Sequence, residues 1–235
     1  MRSSWRVFFG VTKQHESITN MKAVGIIKRW LAGMLPYAWL VTKARTDSNA
    51  VALTFDDGPH PEFTPQVLAV LAKHGMKATF FTIGENLVKY PELARQIVRE
   101  GHQLGNHSYF HNHYRSLPLA QQLAEIDRTD ALLTQIDGLA THTFRPPRGE
   151  LPIGLLLALI RRKQTIAMWS YDSLDYQGLG PESIVQRFAQ QPLQRGEIVL
   201  LHDDNAHTLK ALEDFFPAWK ARGWSSVPLS AMGIG

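Results

Sequence analysis

The chain has 235 residues, of which 44% are hydrophobic, 20% charged and 10% aromatic, the balance of a soluble globular protein and not of a disordered, collagenous or spanning one. It has no cysteine, which excludes disulfide scaffolds, thiolate nucleophiles, cysteine-ligated zinc and an acylated cysteine. Twenty-five Lys and Arg against 21 Asp and Glu leave +4 with His neutral, too mild an excess to point to nucleic acid.

Residues 1–48 form a basic, Trp-containing segment with Trp5, Trp30 and Trp39 and only Glu16 and Asp47 as acids. Its uncharged run, Trp30 to Val41, is flanked by Lys28, Arg29, Lys43 and Arg45 and is too short to span a bilayer as a helix. Two readings stand: the run lies at a membrane surface, its cations on anionic lipid, or it packs its Trp and Leu residues on the body of the protein. The first favours the cell envelope or a membrane-associated location; the second leaves a cytoplasmic one open. If Met21 were the true start, Met21 to Arg29 would form the positive region of a signal peptide, with Pro36 inside the apolar run and Ala44 a poor cleavage site.

Residues 49–235 alternate short apolar runs with segments of helical period, the pattern of repeated βα units on a parallel sheet. Strands are predicted over 50–55, 78–83, 102–106, 143–145, 165–170, 198–201 and 225–229. Helices are predicted over 64–74, 91–100, 119–136, 153–162, 181–190 and 209–222. Gly75, Gly101 and Gly223 stand just past helix ends, where the chain needs a left-handed residue. Seven strands in about 180 residues fall short of an eightfold barrel of about 250 residues. The expected fold is therefore α/β, a distorted, incomplete (β/α) barrel with about seven parallel strands.

Five strands run straight into polar clusters: Asp56-Asp57-Gly58-Pro59, His107 to His111, Arg145 to Gly149, Asp172 to Tyr176, and His202-Asp203-Asp204. In a parallel barrel all strand C-termini open on one face, so one mouth collects all five. Asp-Asp-Gly-Pro alone is equally a capped turn, and an isolated H-x-x-x-H is more often two surface histidines. Together they offer two imidazoles and a carboxylate to a divalent ion, provided His107 and His111 share a helical turn. The second carboxylate is then free to act as a base. Arg145 can keep a buried carboxylate ionised, and His202, with Asp175 to orient it, is a candidate general acid.

The stretches TFDDGP (Thr54 to Pro59), HSYFH (His107 to His111), RPPRG (Arg145 to Gly149), DSLDY (Asp172 to Tyr176) and LLH (Leu200 to His202) resemble, in order and spacing, the five motifs of the polysaccharide deacetylases. The resemblance covers roughly residues 49–229. It implies one divalent metal ion, usually Zn2+, on Asp57, His107 and His111, and Asp56 as general base braced by Arg145. It also implies His202 as general acid oriented by Asp175, with Leu200 and Tyr176 around the acetyl methyl. The implied activity is metal-dependent removal of acetyl from an N-acetylated amino sugar of a glycan.

Two positions depart from that family's usual pattern. Arg148 stands where Tyr is usual, and Tyr176 where Trp is usual. A backbone N–H at position 148 survives the first change, whereas the Arg148 side chain opens the substrate to a phosphate or carboxylate. A deacylase or deformylase of another amide, such as a lipid-linked amino sugar, is one alternative. A catalytically silent glycan-binding domain is another, against which the complete set of acid, base and ligand residues argues.

Overall fold

The computed structural model describes residues 39–234. In chain order these form β1 (Leu40–Val41), β2 (Ala50–Asp56), α1 (Phe63–His74), β3 (Ala78–Thr82), α2 (Gly84–Lys89), α3 (Pro91–Arg99), β4 (Gln103–Asn106), α4 (Leu119–Asp137), α5 (Ile153–Arg161), β5 (Ile166–Ala167), β6 (Tyr171–Asp172), α6 (Pro181–Gln190), β7 (Ile198–His202), α7 (Ala206–Ala221) and β8 (Ser225–Ser226). Single helical turns lie at Tyr114–Ser116, Pro147–Gly149, Asp175–Gln177 and Leu229–Met232.

All pairings between these strands are parallel, and the main sheet runs β4-β3-β2-β7-β6, with β8 also on β2. β2 is central and buried along its whole length, which is why it reads as a continuous apolar run without alternation. Its Phe55 stacks on Phe80 at 5.1 Å, and Leu53, Phe55, Phe80, Val199 and Leu201 join Leu68, Leu71, Phe215 and Phe216 of the helices in one core.

The remaining strands join the sheet in an irregular way. β1 pairs with β5, and Phe144 bridges both Asn106 at the end of β4 and Ile166 in β5. The stretch that follows leaves β5 at Ala167 and joins β7 as β6 at Tyr171. One bent segment thus touches both edges, which is the distortion expected of a (β/α) barrel with fewer than eight regular strands.

Several expectations shift. Of the strand over 165–170 only Ile166–Ala167 remains, because the chain turns from one ladder to the other before β6 at Tyr171–Asp172. The strand over 143–145 is a single bridge at Phe144, and 225–229 keeps only its first two residues as strand. α2 has no counterpart among the predicted helices. α7 begins at Ala206 because Asn205 caps it, its Oδ1 accepting the Thr208 N–H at 2.9 Å, a standard N-cap.

The end of the apolar run Trp30 to Val41 is strand: Ile166 N–H donates to Trp39 O and Met168 N–H to Val41 O. Val41 and Ala44 are buried, and Ala44 N–H donates to Gly196 O at 2.7 Å. The rest of that run and the signal-peptide reading at Met21 lie outside the described residues. No helix among the described residues is long and apolar enough to cross a membrane.

Candidate active site

The C-terminal ends of β2, β4 and β7 and the turns after Phe144 and β6 meet around a cavity of about 340 Å³. Asp56, Asp57, His107, His111, Arg148, Gly149, Trp169, Tyr176, Leu200 and His202 line it. Arg145 and Asp175 stand immediately behind this wall, so all ten site residues expected from the sequence converge. Trp169 joins them without being among the residues the motifs single out; its one sequence signal is an aromatic residue at the end of an apolar run.

Asp57 sits just past β2 with φ 73°, a left-handed backbone unusual for a residue with a Cβ. Asn86 Nδ2 donates to its carbonyl at 2.8 Å. Gly58 follows for a steric reason: a Cβ there would lie 2.4 Å from Oδ1 of buried Asp203. Asp203 in turn accepts a hydrogen bond from Thr64 Oγ1.

His107 and His111 do not share a helical turn, as the sequence reading required. Ser108 and His111 instead take positive φ, 68° and 55°, and fold the segment back until the two rings stand 5.1 Å apart. Asn106 holds this shape, its Oδ1 accepting the Ser108 N–H at 2.8 Å while its Nδ2 donates to Asp130 Oδ1 at 2.7 Å. Ser108 Oγ accepts the His111 N–H at 3.1 Å. Such side-chain to backbone bonds offset the cost of strained dihedrals at a functional site.

These three side chains fit a metal ion. His107 is buried, and its Nδ1–H donates to the Arg145 carbonyl at 2.8 Å, which leaves the Nε2 lone pair 3.5 Å from Asp57 Oδ1. His111 Nε2 lies 3.4 Å from the same oxygen, which is buried and accepts no hydrogen bond. Burial pushes the His107 pKa down to about 3, so its imidazole is neutral. The His107 lone pair facing a carboxylate oxygen that accepts no hydrogen bond calls for a cation, and one ligand atom from each of the three residues falls within 4.8 Å of the others.

Asp56 is buried beside them. Arg145, with no solvent exposure, donates from Nη1 to Asp56 Oδ1 and to Thr54 Oγ1, both at 2.7 Å. Its Nε and Nη2 are fixed by the carbonyls of Ala167 and Met168, and its guanidinium lies 4.1 Å over the Phe81 ring. Burial raises the Asp56 pKa, against the pull of the Arg145 charge. A carboxylate of raised pKa is a stronger base than one in water.

On the other side, His202 Nδ1 is 2.8 Å from Asp175 Oδ1, and Nε2 points into the cavity, 4.0 Å from Asp57 Oδ2. Asp175 Oδ2 accepts from the His202 N–H at 2.7 Å and from Thr208 Oγ1 at 2.6 Å. Burial opposes the Asp175 charge, but these bonds hold its pKa below the usual carboxylate range. Burial likewise disfavours an imidazolium, yet Asp175, Asp56 and Asp57 raise the His202 pKa to about 10; a dication alongside would draw it back down. Leu200 is buried in the wall. Tyr176 is more than half exposed at the rim, edge-on to His202 at 5.7 Å.

The family model for polysaccharide deacetylase matches residues 43–162. A peptidoglycan-N-acetylglucosamine deacetylase of Bacillus cereus is 34% identical over 206 residues, 84% of this chain and 74% of the relative. A chitooligosaccharide deacetylase of Azorhizobium caulinodans is 31% identical over 198 residues, 78% of this chain and 94% of the relative. Among solved structures, a peptidoglycan N-acetylglucosamine deacetylase in complex with 4-naphthalen-1-yl-N-oxidanyl-benzamide superposes with a TM-score of 0.77 at 32% identity, covering 84% of this chain and 96% of that one. With the motifs, the parallel β/α architecture and these relatives in agreement, the chain belongs to the polysaccharide deacetylase family.

Proposed function

We propose that this hydrolase removes acetyl from an N-acetylated amino sugar of a glycan, with Asp57, His107 and His111 holding one divalent ion, zinc by the nature of an Asp-His-His donor set. The observation that carries the reading is Asp57 Oδ1, a buried, unbonded carboxylate oxygen facing two imidazole nitrogens at 3.5 and 3.4 Å, between the pairs Asp56–Arg145 and His202–Asp175. A divalent ion held there supplies Lewis-acid polarisation of an amide carbonyl and a water of lowered pKa.

The chain's own groups divide the proton work. Asp56, kept ionised by Arg145, takes the proton of the attacking water. Arg148 lines the cavity and its N–H has no acceptor among the described residues, so that N–H is the donor we assign to the oxygen that gains charge as the carbonyl is attacked. His202 then gives its proton to the departing sugar amine, with Asp175 fixing the ring and stabilising the imidazolium. Leu200 provides an apolar surface for the methyl group.

We place the protein at the cell envelope, peripheral to a membrane, on the strength of the basic, tryptophan-containing sequence of residues 1–48. The substrate class is tested by offering N-acetylglucosamine oligomers beside N-formylated amino sugars and measuring acetate and formate. Acetate from the oligomers supports the proposal. Formate alone moves the activity to a deformylase, and glycan binding without release of either makes the domain a silent binder.

A further inference from the structure

Resting on that reading, we infer that Arg148 selects substrates whose unit next to the N-acetylated sugar carries an oxyanion, a carboxylate or a phosphate. Arg148 lines the cavity yet is exposed, and no described residue gives its guanidinium a hydrogen bond or an ion pair. Two acids line the same cavity. Asp56 is held by Arg145 and Asp57 faces His107 and His111. Glu150, two residues along, meets His113 Nδ1 at 3.4 Å and accepts the Arg115 N–H at 3.2 Å.

The backbone sets where this side chain leaves the rim. Arg148 has φ 55° and Gly149 φ 64°, two left-handed residues in succession in the tight turn Pro147–Gly149. A Cβ at Gly149 would lie 3.0 Å from the Trp169 ring, so the turn is seated on that indole. Trp169, Leu200 and Tyr176 offer apolar faces to a sugar ring, and Arg148 offers five donors in a planar fork at the edge of the same cavity. That fork matches the two oxygens of a carboxylate or phosphate, which a neutral glycan lacks. A guanidinium that has no partner among the described residues, beside a sugar-sized cavity, favours an anionic substituent on the neighbouring unit.

The test compares kcat/KM of the wild type, Arg148→Gln and Arg148→Lys on matched substrates. One pair is an oligomer of N-acetylglucosamine and N-acetylmuramic acid and its methyl ester, which differ only in the carboxylate charge. A second pair is N-acetylglucosamine on a short-chain prenyl diphosphate and the neutral N-acetylglucosamine tetramer. The wild type is expected to favour the anionic member of at least one pair by about tenfold, mainly through KM. The pair that responds separates carboxylate from phosphate. Arg148→Gln should bring that ratio near unity, Arg148→Lys should keep part of it, and added salt should shrink it.

Equal handling of both members of each pair by the wild type would overturn the inference, as would an Arg148→Gln variant that keeps the ratio. Either result, with acetate still released from neutral oligomers, leaves the deacetylase reading standing. No acetate from any substrate would overturn both.

Discussion

Asp56 and His202 are register partners across the parallel β2–β7 ladder, the last residue of each strand opposite the other. The proposed base and acid are therefore placed by main-chain hydrogen bonds of the sheet and not by loops. On each side a buried partner fixes the side chain, Arg145 for Asp56 and Asp175 for His202. The ion ligands, by contrast, come from strained turns after the strand ends.

The Asp175 contact sets how the reaction responds to pH. His202 must be protonated to donate, and its raised pKa extends that form to higher pH. In Asp175→Asn the alkaline limb of the rate profile should move to lower pH, with kcat down roughly 100-fold. An alkaline limb at its wild-type position would show that another residue is the acid.

Gly58→Ala probes the turn that presents Asp57. The new methyl would meet the carboxyl group of Asp203, 2.4 Å from Oδ1, and Asp203 has no room to retreat because it is fully buried. A stability loss of about 1–3 kcal/mol is expected from overpacking, with weakened metal binding because the adjoining ligand is displaced. Calorimetry and metal titration of the same preparation read both.

His102 should give the fold a pH-dependent contribution away from the cavity. Its Nδ1 accepts the Ala78 N–H at 3.1 Å at the start of β3, so a proton on that nitrogen would face another donor. Burial lowers its pKa from 6.5 to about 4, and the unfolded chain binds the proton more tightly. The contribution is then fully present above pH 6.5, is lost as pH falls toward about 4, and amounts to at most about 3 kcal/mol. Urea unfolding of His102→Gln, which keeps an acceptor but cannot titrate, should lack this decline.

The N-terminal segment can be separated from the sheet by two truncations. Removing residues 1–38 spares β1, and the product should fold, deacetylate and no longer sediment with anionic vesicles that the full chain binds at low salt. Removing residues 1–45 also strips Leu40 and Val41 from β5 and leaves the Ile166 and Met168 N–H groups unpaired. That longer truncation should lose about 3–5 kcal/mol from two apolar side chains and two ladder bonds. Full-length protein that ignores such vesicles would refute the membrane placement.

What the sequence makes legible follows from the physics of each element. β2 and β7 are buried on both faces, so each is an unbroken apolar run that ends where a polar cluster begins. The parallel pattern then brings the clusters to one mouth without any contact being known. Leu40–Val41 escapes notice because two residues carry no period and their neighbours are basic and aromatic. α2, at six residues, is shorter than two helical turns and shows no 3.6 repeat. The fold-back of His107 to His111 depends on positive φ at Ser108 and His111, residue types that seldom adopt it, so spacing alone points to a helical turn instead.

The division of labour between the adjacent aspartates is tested most directly by measuring bound metal and acetate release together in Asp56→Asn and Asp57→Asn. On this division Asp56→Asn keeps close to one equivalent of metal while turnover falls about 100- to 10,000-fold, and Asp57→Asn loses the metal itself. Equal metal loss in both variants, or an Asp56→Asn protein that still releases acetate at the wild-type rate, would contradict it.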